Sequence, residues 1–488
     1  MSDIEVRGGA HGLSVQLEDL ERGARVLHAV GEEMAASALT IGLIAREPGL
    51  AVAGLVAPVE LASAEVAILG CVGVDGAGGV AARVLATAAA TRSAVATYRW
   101  GEERADALFD TAATTVGAAI GVTVVPAAGA IAAGVLSSPA TAVALQVPGA
   151  REAAIAVGLG TGRAIDEVLH DHPWLVPRAA DGLDGLILGA GLGLPALGTW
   201  LAWRAGRHGQ PYPPRSREEA LRVILAATRW IALDESDHDV TVRPRHEGRG
   251  RPPASVTDLV AADGPTSGGS RVRMTGMPRP DGTWTWVVDV PGTQTFAPRA
   301  GDNPWDLTSN VLLSAEQQTL TTRAVARALT DAQRRTGSTG RSRVMLAGHS
   351  QGGLTAAALA ADPTFRQRHG VTHVVTSGAP IATLDVPEEV SVLSLEHAED
   401  LVPGLEGQDN PDRESWVTVR REVATDLGPD GRSTEAHHVS HYAETARLVD
   451  ASDDPSLVAW RQDAADFVGD PEGEAVVIDY DIERVPRR

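Results

Sequence analysis

A chain of 488 residues with 44% hydrophobic content is too long for one average domain and too apolar for wholesale disorder, so two or three folded units are expected. A formal charge of −21 argues against a nucleic-acid partner, because phosphate contacts need a basic footprint. The single cysteine, Cys71, excludes an intramolecular disulfide and a cysteine-built zinc site, and is expected to be a small core residue.

The opening MSDIEVRGGAHG lacks the basic patch and apolar core of a secretory leader. The expected location is therefore cytoplasmic or membrane-associated, with the later part of the chain on the cytoplasmic side. Leu13, Leu17, Leu20, Ala24, Leu27 and Met34 recur at three-, four- and seven-residue steps between Glu18, Glu21, Arg22 and Arg25. That spacing predicts an amphipathic helix within an all-helical region over residues 1–110, its apolar face packed on a neighbour. The region resembles the small helical-hairpin proteins of type VII secretion systems, which implies a helical secretion-system partner. The Trp-x-Gly turn of those proteins is missing, and Trp100-Gly101 does not match it.

Residues 111–210 make a second, Ala/Gly-rich segment. No charge occurs from Thr111 to Ala150, and another uncharged run, Gly185 to Trp203, precedes Arg204 and Arg207. Each is long enough to cross a bilayer, which takes about 20 apolar residues, and Trp200 and Trp203 beside arginines suit a membrane interface. Two readings stand. One is a membrane hairpin, with a membrane surface as partner; the other is a pair of buried helices interrupted by Pro126 and Pro195.

The composition changes at Pro211 to Ser216, which opens a helix-and-linker segment over 211–269. Ser216 and Glu219 form a capping box for a helix starting at Arg217, and the basic, Pro/Gly-rich stretch Arg243 to Pro253 reads as a solvated linker. From 270 to 488 strands and helices alternate, which predicts an α/β domain with a mainly parallel sheet. RVRMTGM and TWTWVVDV flank an Asp-Gly turn, and Ser314 with Gln317 caps a helix that ends at Gly337. RVMLAG, HVVTSGA, SVLSLEH and WVTVRREV are further strands, followed by a helix beginning near Tyr442.

Chemistry concentrates in this last domain. Gly348-His349-Ser350-Gln351-Gly352 matches G-x-S-x-G and sits between a strand and a helix, where a strained turn presents a serine at a helix N-terminus. A serine hydroxyl is a poor nucleophile at neutral pH, so Ser350 needs a base, and the base needs an orienting carboxylate. Asp400 is preferred as the acid because Val402-Pro403 can stiffen its loop; Glu396, Glu399 and Asp409 compete. The base comes from EAHHVSHY, with His437 the first choice and His438 and His441 the alternates. Gln351 N–H would supply one oxyanion donor, and Thr293, in the loop after TWVVDV, the other.

These motifs resemble the lipase/esterase branch of the α/β-hydrolase superfamily, in particular class 3 (fungal-type) lipases. GHSQGG is similar to their elbow, VDVPGT to their oxyanion element, and Asp400-Leu401-Val402-Pro403 to their acid loop, over Arg271 to Asp450. The resemblance implies an α/β-hydrolase fold and a Ser-His-Asp esterase acting on an acyl-ester or lipid substrate, with no metal or organic cofactor. It also implies a lid over Ala297 to Leu313 in which Trp305 touches substrate or interface. Pro291 replaces the arginine usual before the oxyanion glycine. A phospholipase, thioesterase or acyltransferase would use the same triad. An inactive secretion-associated or membrane scaffold is the reading from a different class.

Overall fold

In a computed structural model the described residues are 4–44, 47–49, 52, 55, 57–73, 75–100, 114, 118, 175–229, 234–262, 269–296, 301–338, 342–427, 433–468 and 473–487. They fall into two compact units, Leu13–Leu108 and Met1–Gly12 with Phe109–Arg488.

The first unit is helical, as its periodicity predicts, but its seam is not the leucine face. Helix Leu13–Ile44 buries Ala24, Gly31 and Ala38, spaced by sevens, while Leu13, Leu20 and Leu27 stay exposed. The helix over 77–100 buries Ala81, Ala88 and Val95 at the same spacing and runs antiparallel, with Arg99 at 3.2 Å from Glu21. A Cβ on Gly31 would come within 2.7 Å of Leu85, so small residues let the two backbones approach. The heptad period keeps this narrow stripe in register. Cys71, on helix Pro58–Val72, is exposed rather than core, because that helix buries none of its residues. Among the described residues one helical stretch, Pro58–Trp100, contains a window apolar and long enough to cross a bilayer by length and composition.

The second unit is mixed α/β, built on a nine-stranded sheet of order β1-β8-β7-β6-β5-β4-β3-β9-β2. The strands are β1 Glu5–Gly8, β2 His238–Gly250, β3 Arg271–Pro278, β4 Trp284–Val290, β5 Ser342–His349, β6 Val371–Ser377, β7 Ser391–His397, β8 Trp416–Arg421 and β9 Ala475–Pro486. Only β4 to β8 are mutually parallel; β1 at one edge and β3, β9 and β2 at the other pair antiparallel. The expectation of a mainly parallel sheet therefore holds for the centre and fails at both margins.

Alternation sorts the central strands between two apolar layers. Trp286, Val288, Val344 and Leu346 join the core beneath helices Leu320–Thr336 and Gln351–Ala361. Val287, Met345 and Ala347 face the opposite core with Tyr442, Ala446 and Leu457, from helices Val439–Ala451 and Pro455–Asp463. A period of two with both faces covered is what buried parallel strands require.

Arg243 to Pro253 corrects the linker expectation, since most of it lies in β2. That strand is held by its backbone ladder to β9 and by Val240 and Val242, which meet the core, with charge pairs added on its exposed part. The side chains of Arg243, Arg245 and Arg249 reach Glu483, Asp481 and Glu474 of the β9 region at 3.7, 3.5 and 2.8 Å, and Pro244 sits at a register shift on the sheet edge, where a missing N–H is tolerated. The sheet also recruits residues 5–8, so the boundary expected at 270 cuts through it.

The uncharged run Gly185 to Trp203 is split at Leu194 into helices Leu183–Gly193 and Pro195–Arg207, each too short to span a bilayer. The run from Thr111 to Ala150 lies outside the described residues, apart from 114 and 118. Ser216 caps helix Arg217–Thr228 as expected, accepting from Glu219 N at 3.3 Å. The later cap differs. Ser314 ends one helix, and the next begins at Leu320 under Thr319, whose Oγ1 accepts from Thr322 N at 3.3 Å. Gln317 donates its backbone N–H to Leu312 O at 2.9 Å, so it closes the earlier helix.

Replacing Thr319 by Ala is expected to cost about 1–2 kcal/mol by urea denaturation, because an N-cap and its buried partner are lost. Ser314→Ala should change stability by less than about 0.5 kcal/mol. The reverse ranking would contradict this cap assignment.

Candidate active site

The candidate residues converge at the C-terminal ends of the parallel strands. β5 runs straight into helix Gln351–Ala361, and the single residue between them, Ser350, has φ 55° and ψ −123°. This conformation is strained for a residue with a side chain, at about 1–3 kcal/mol, and is kept by its surroundings. A Cβ on Gly352 would lie 2.1 Å from Val290 O, and one on Gly348 would lie 2.4 Å from Gly352 C. Only glycine allows the turn to be this tight. Ser350 N donates to Ser377 O at 2.9 Å, tying the elbow to the end of β6.

His437 Nε2 is 2.9 Å from Ser350 Oγ, and its Nδ1 is 2.7 Å from Asp400 Oδ2. With a proton on Nδ1 donated to the carboxylate, Nε2 is left to accept the serine proton. Asp400 is held from three sides. Its Oδ2 also accepts from Tyr442 Oη at 2.6 Å, and its Oδ1 accepts from Val402 N at 2.9 Å. Burial, reinforced by Asp400, raises the Tyr442 phenol well above its ordinary range, so this hydroxyl stays a donor. The Asp400 side chain is shut from solvent, whereas His437 keeps 23% of its side chain exposed. The arrangement can therefore activate a hydroxyl and pass its proton onward at a solvent-accessible mouth.

The alternates have other work. His438 is the N-cap of helix Val439–Ala451, accepting from Ser440 N at 3.3 Å. His441 lies inside that helix, one turn on. Among the competing acids, Glu399 accepts from Val423 N and Ala424 N at 2.9 Å each, and Asp409 faces Arg7 at 3.2 Å. Glu396 accepts from Asn410 Nδ2 at 2.6 Å, yet burial still pushes its carboxyl up to about 7.

Gln351 is the first residue of its helix, so its N–H has no intrahelical acceptor and points with the positive helix end. Gly292 presses on the elbow, since a Cβ there would lie 3.1 Å from His349 O and 3.5 Å from Ser350 Cβ. Thr293 follows it directly, and its Oγ1 accepts from Asn310 Nδ2 at 2.9 Å.

Trp305 corrects its expectation. It is fully buried in the apolar core and unable to meet a substrate or an interface. Residues 297–300 of the expected lid lie outside the described residues. The described part is tied down by polar contacts. Asp306 caps helix Leu307–Ser314 and accepts from the buried Arg484 at 2.6 Å, and Gln351 Nε2 donates to Asp306 O at 3.1 Å. Moving this segment away would break a buried ion pair, at a cost of about 3–5 kcal/mol.

Three residues escaped the motif reading. His349 Nε2 lies 2.8 Å from His437 O, with the rings 4.6 Å apart, and burial next to His437 lowers the His349 imidazole to about 3. It therefore stays neutral and donates to the backbone of the neighbouring histidine. His397 stacks on Tyr442 at 3.8 Å and reaches Ala436 O at 2.8 Å, so it supports both the acid's partner and the turn before His437. Gly378, at φ 58°, leaves room for the site, because a Cβ there would meet Asp400 Oδ2 at 2.9 Å and His437 Nδ1 at 3.1 Å. Its signal was present in the sequence as the Ser-Gly-Ala ending a strand. Among the described residues no group of three or more His, Cys, Asp or Glu could hold a metal ion.

Comparison with protein-family models, curated proteins and solved structures found no match.

The pH response of Glu396 follows from its raised carboxyl. The folded state binds this proton more tightly than the unfolded state, so its contribution to stability is present at low pH and is lost as pH rises from the ordinary 4.5 through about 7. Urea denaturation of wild type against Glu396→Gln should therefore show the wild type losing ground across that interval. A difference that does not change with pH would contradict the assignment.

Proposed function

We propose that this chain is a serine hydrolase of the α/β-hydrolase fold, similar to class 3 lipases, that cleaves carboxylic esters through an acyl-Ser350 intermediate. The observation that carries the reading is the continuous path from Ser350 Oγ to His437 at 2.9 Å and from His437 to Asp400 at 2.7 Å. Ser350 Oγ attacks the ester carbon as its proton moves to His437 Nε2, and the carbonyl electron pair moves to the oxygen. That oxyanion is met by Gln351 N–H and by Thr293. Collapse breaks the bond to the leaving alcohol, which takes the proton from Nε2. Water then repeats the sequence, its proton passing to His437, and frees the acid and Ser350.

Phospholipase, thioesterase and acyltransferase reactions differ only in leaving group or acceptor and use the same relay. The exposed Leu20, Leu39, Leu43, Val59 and Val66 of the helical unit favour a second reading, a membrane- or secretion-associated scaffold. The two readings separate on one test. A fluorophosphonate probe should label the folded wild type and leave Ser350→Ala unmodified, whereas a folded wild type that takes no label would support the scaffold.

With a nitrophenyl ester, His437→Ala should lower kcat by about 10³-fold or more, whereas His438→Ala and His441→Ala should leave it near wild type. Loss of turnover in either alternate, with His437→Ala active, would overturn the assignment of the base. Gly378→Ala should cost about 10²-fold in kcat by displacing the acid and base. Full activity in that variant would show that the site tolerates the intrusion.

A further inference from the structure

We propose that Arg484 is a positioning residue for the oxyanion site, a role that rests on the hydrolase reading above. It lies on the last strand, β9, with its side chain 1% exposed, and touches neither Ser350 nor His437. Nη1 donates to Asp306 Oδ2 at 2.6 Å and to Gly301 O at 2.8 Å, and Nη2 donates to Glu235 Oε1 at 2.8 Å. Its backbone N–H donates to Asp302 O at 2.6 Å, so one residue grips both ends of the 301–306 loop.

The carboxylates it neutralises are themselves spoken for. Glu235 accepts from Ser309 Oγ at 2.6 Å and from Leu320 N at 2.8 Å, and Asp306 Oδ1 accepts from Ser309 N at 3.0 Å. Burying three charges is costly, and apolar residues of similar volume often stabilise as well or better. What a guanidinium fork adds is direction, because its donors fix the bearing of whatever they hold.

Two links carry that direction to the site. Gln351 Nε2 donates to Asp306 O at 3.1 Å, holding the side chain of the residue whose N–H faces the oxyanion. Asn310 Nδ2, on the helix that Asp306 caps, donates to Thr293 Oγ1 at 2.9 Å. The backbone pairs alongside, with Gln294 N on Trp305 O at 2.9 Å and Leu307 N on Thr295 O at 3.2 Å. The Thr293 hydroxyl and the Gln351 side chain are thus both tied to one helix and loop, and Arg484 grips that helix and loop. An oxyanion hole tolerates little error, since donors must sit about 2.7–3.1 Å from the developing charge.

The test compares Arg484→Lys, which keeps the charge and loses the fork, with Glu235→Gln and Asn310→Leu. The last variant severs the Thr293 link and leaves the ion cluster whole. Each is assayed with nitrophenyl butyrate for kcat and KM, for affinity toward a trifluoromethyl ketone that becomes an oxyanion when bound to serine, and for Tm. The expected result is a loss of about tenfold or more in kcat, an equal loss in ketone affinity and an unchanged KM. In Asn310→Leu these losses come without a matching fall in Tm.

If Tm drops in Arg484→Lys or Glu235→Gln while kcat and ketone affinity hold, the cluster is purely structural and the proposal fails. If Arg484→Lys does not fold, Glu235→Gln and Asn310→Leu decide by the same criteria. A wild type without Ser350-dependent turnover fails earlier and removes the hydrolase reading itself, so the two failures are distinguishable.

Discussion

The close approach of Gly352 to the Val290 carbonyl is the constraint on which the site depends. It forces β5 to end abruptly, throws Ser350 into a positive-φ conformation and sets the helix start against the β4 loop. A side chain at Gly352 would lie 2.1 Å from that carbonyl. Elbow, oxyanion loop and helix N-terminus are therefore one packing event. The strain at Ser350 is repaid by neighbours on both sides, through Ser377 O behind it and Gly292 beside it.

Around that elbow the polar groups form a shell with few free members. Asp400 accepts from His437, Tyr442 and Val402; His349 donates to the His437 backbone; His397 braces Tyr442. In a low-dielectric site each such bond is worth more than in water, and each unmade one would cost more. The helices of Leu13–Leu108 follow the opposite rule, with small residues buried at heptad spacing and large apolar ones left outside.

What could be read from the sequence divides along physical lines. The convergence of Ser350, Asp400 and a histidine from 437–441 was legible because the proposed chemistry restricts residue type and order, with Gly-x-Ser-x-Gly placed between a strand and a helix. The ranking of His437 ahead of His438 agrees with the structure, but local sequence separates the two only weakly. The choice turns on which of two adjacent residues caps a helix, and helix starts are uncertain by more than one position. β2 was missed because its apolar alternation stops after Val242, where Arg, Pro and Gly take over, and because its partner β9 lies more than 200 residues further along the chain. β1 spans only Glu5–Gly8 and pairs with β8 more than 400 residues away, beyond the reach of local pattern. Trp305 looked like a lid residue because sequence position alone places it after the oxyanion loop. Its burial depends on Arg484, Asp306 and Glu235 closing that loop from distant parts of the chain.

The central claim, that Ser350 accepts an acyl group, is tested most directly by acid-quenching the full chain within one turnover of a nitrophenyl ester and weighing its peptides. The account predicts one acyl mass on the peptide carrying Ser350, appearing with a burst of nitrophenol and absent in Ser350→Ala. An acyl mass on a different residue, or none on folded protein that releases nitrophenol, would contradict it.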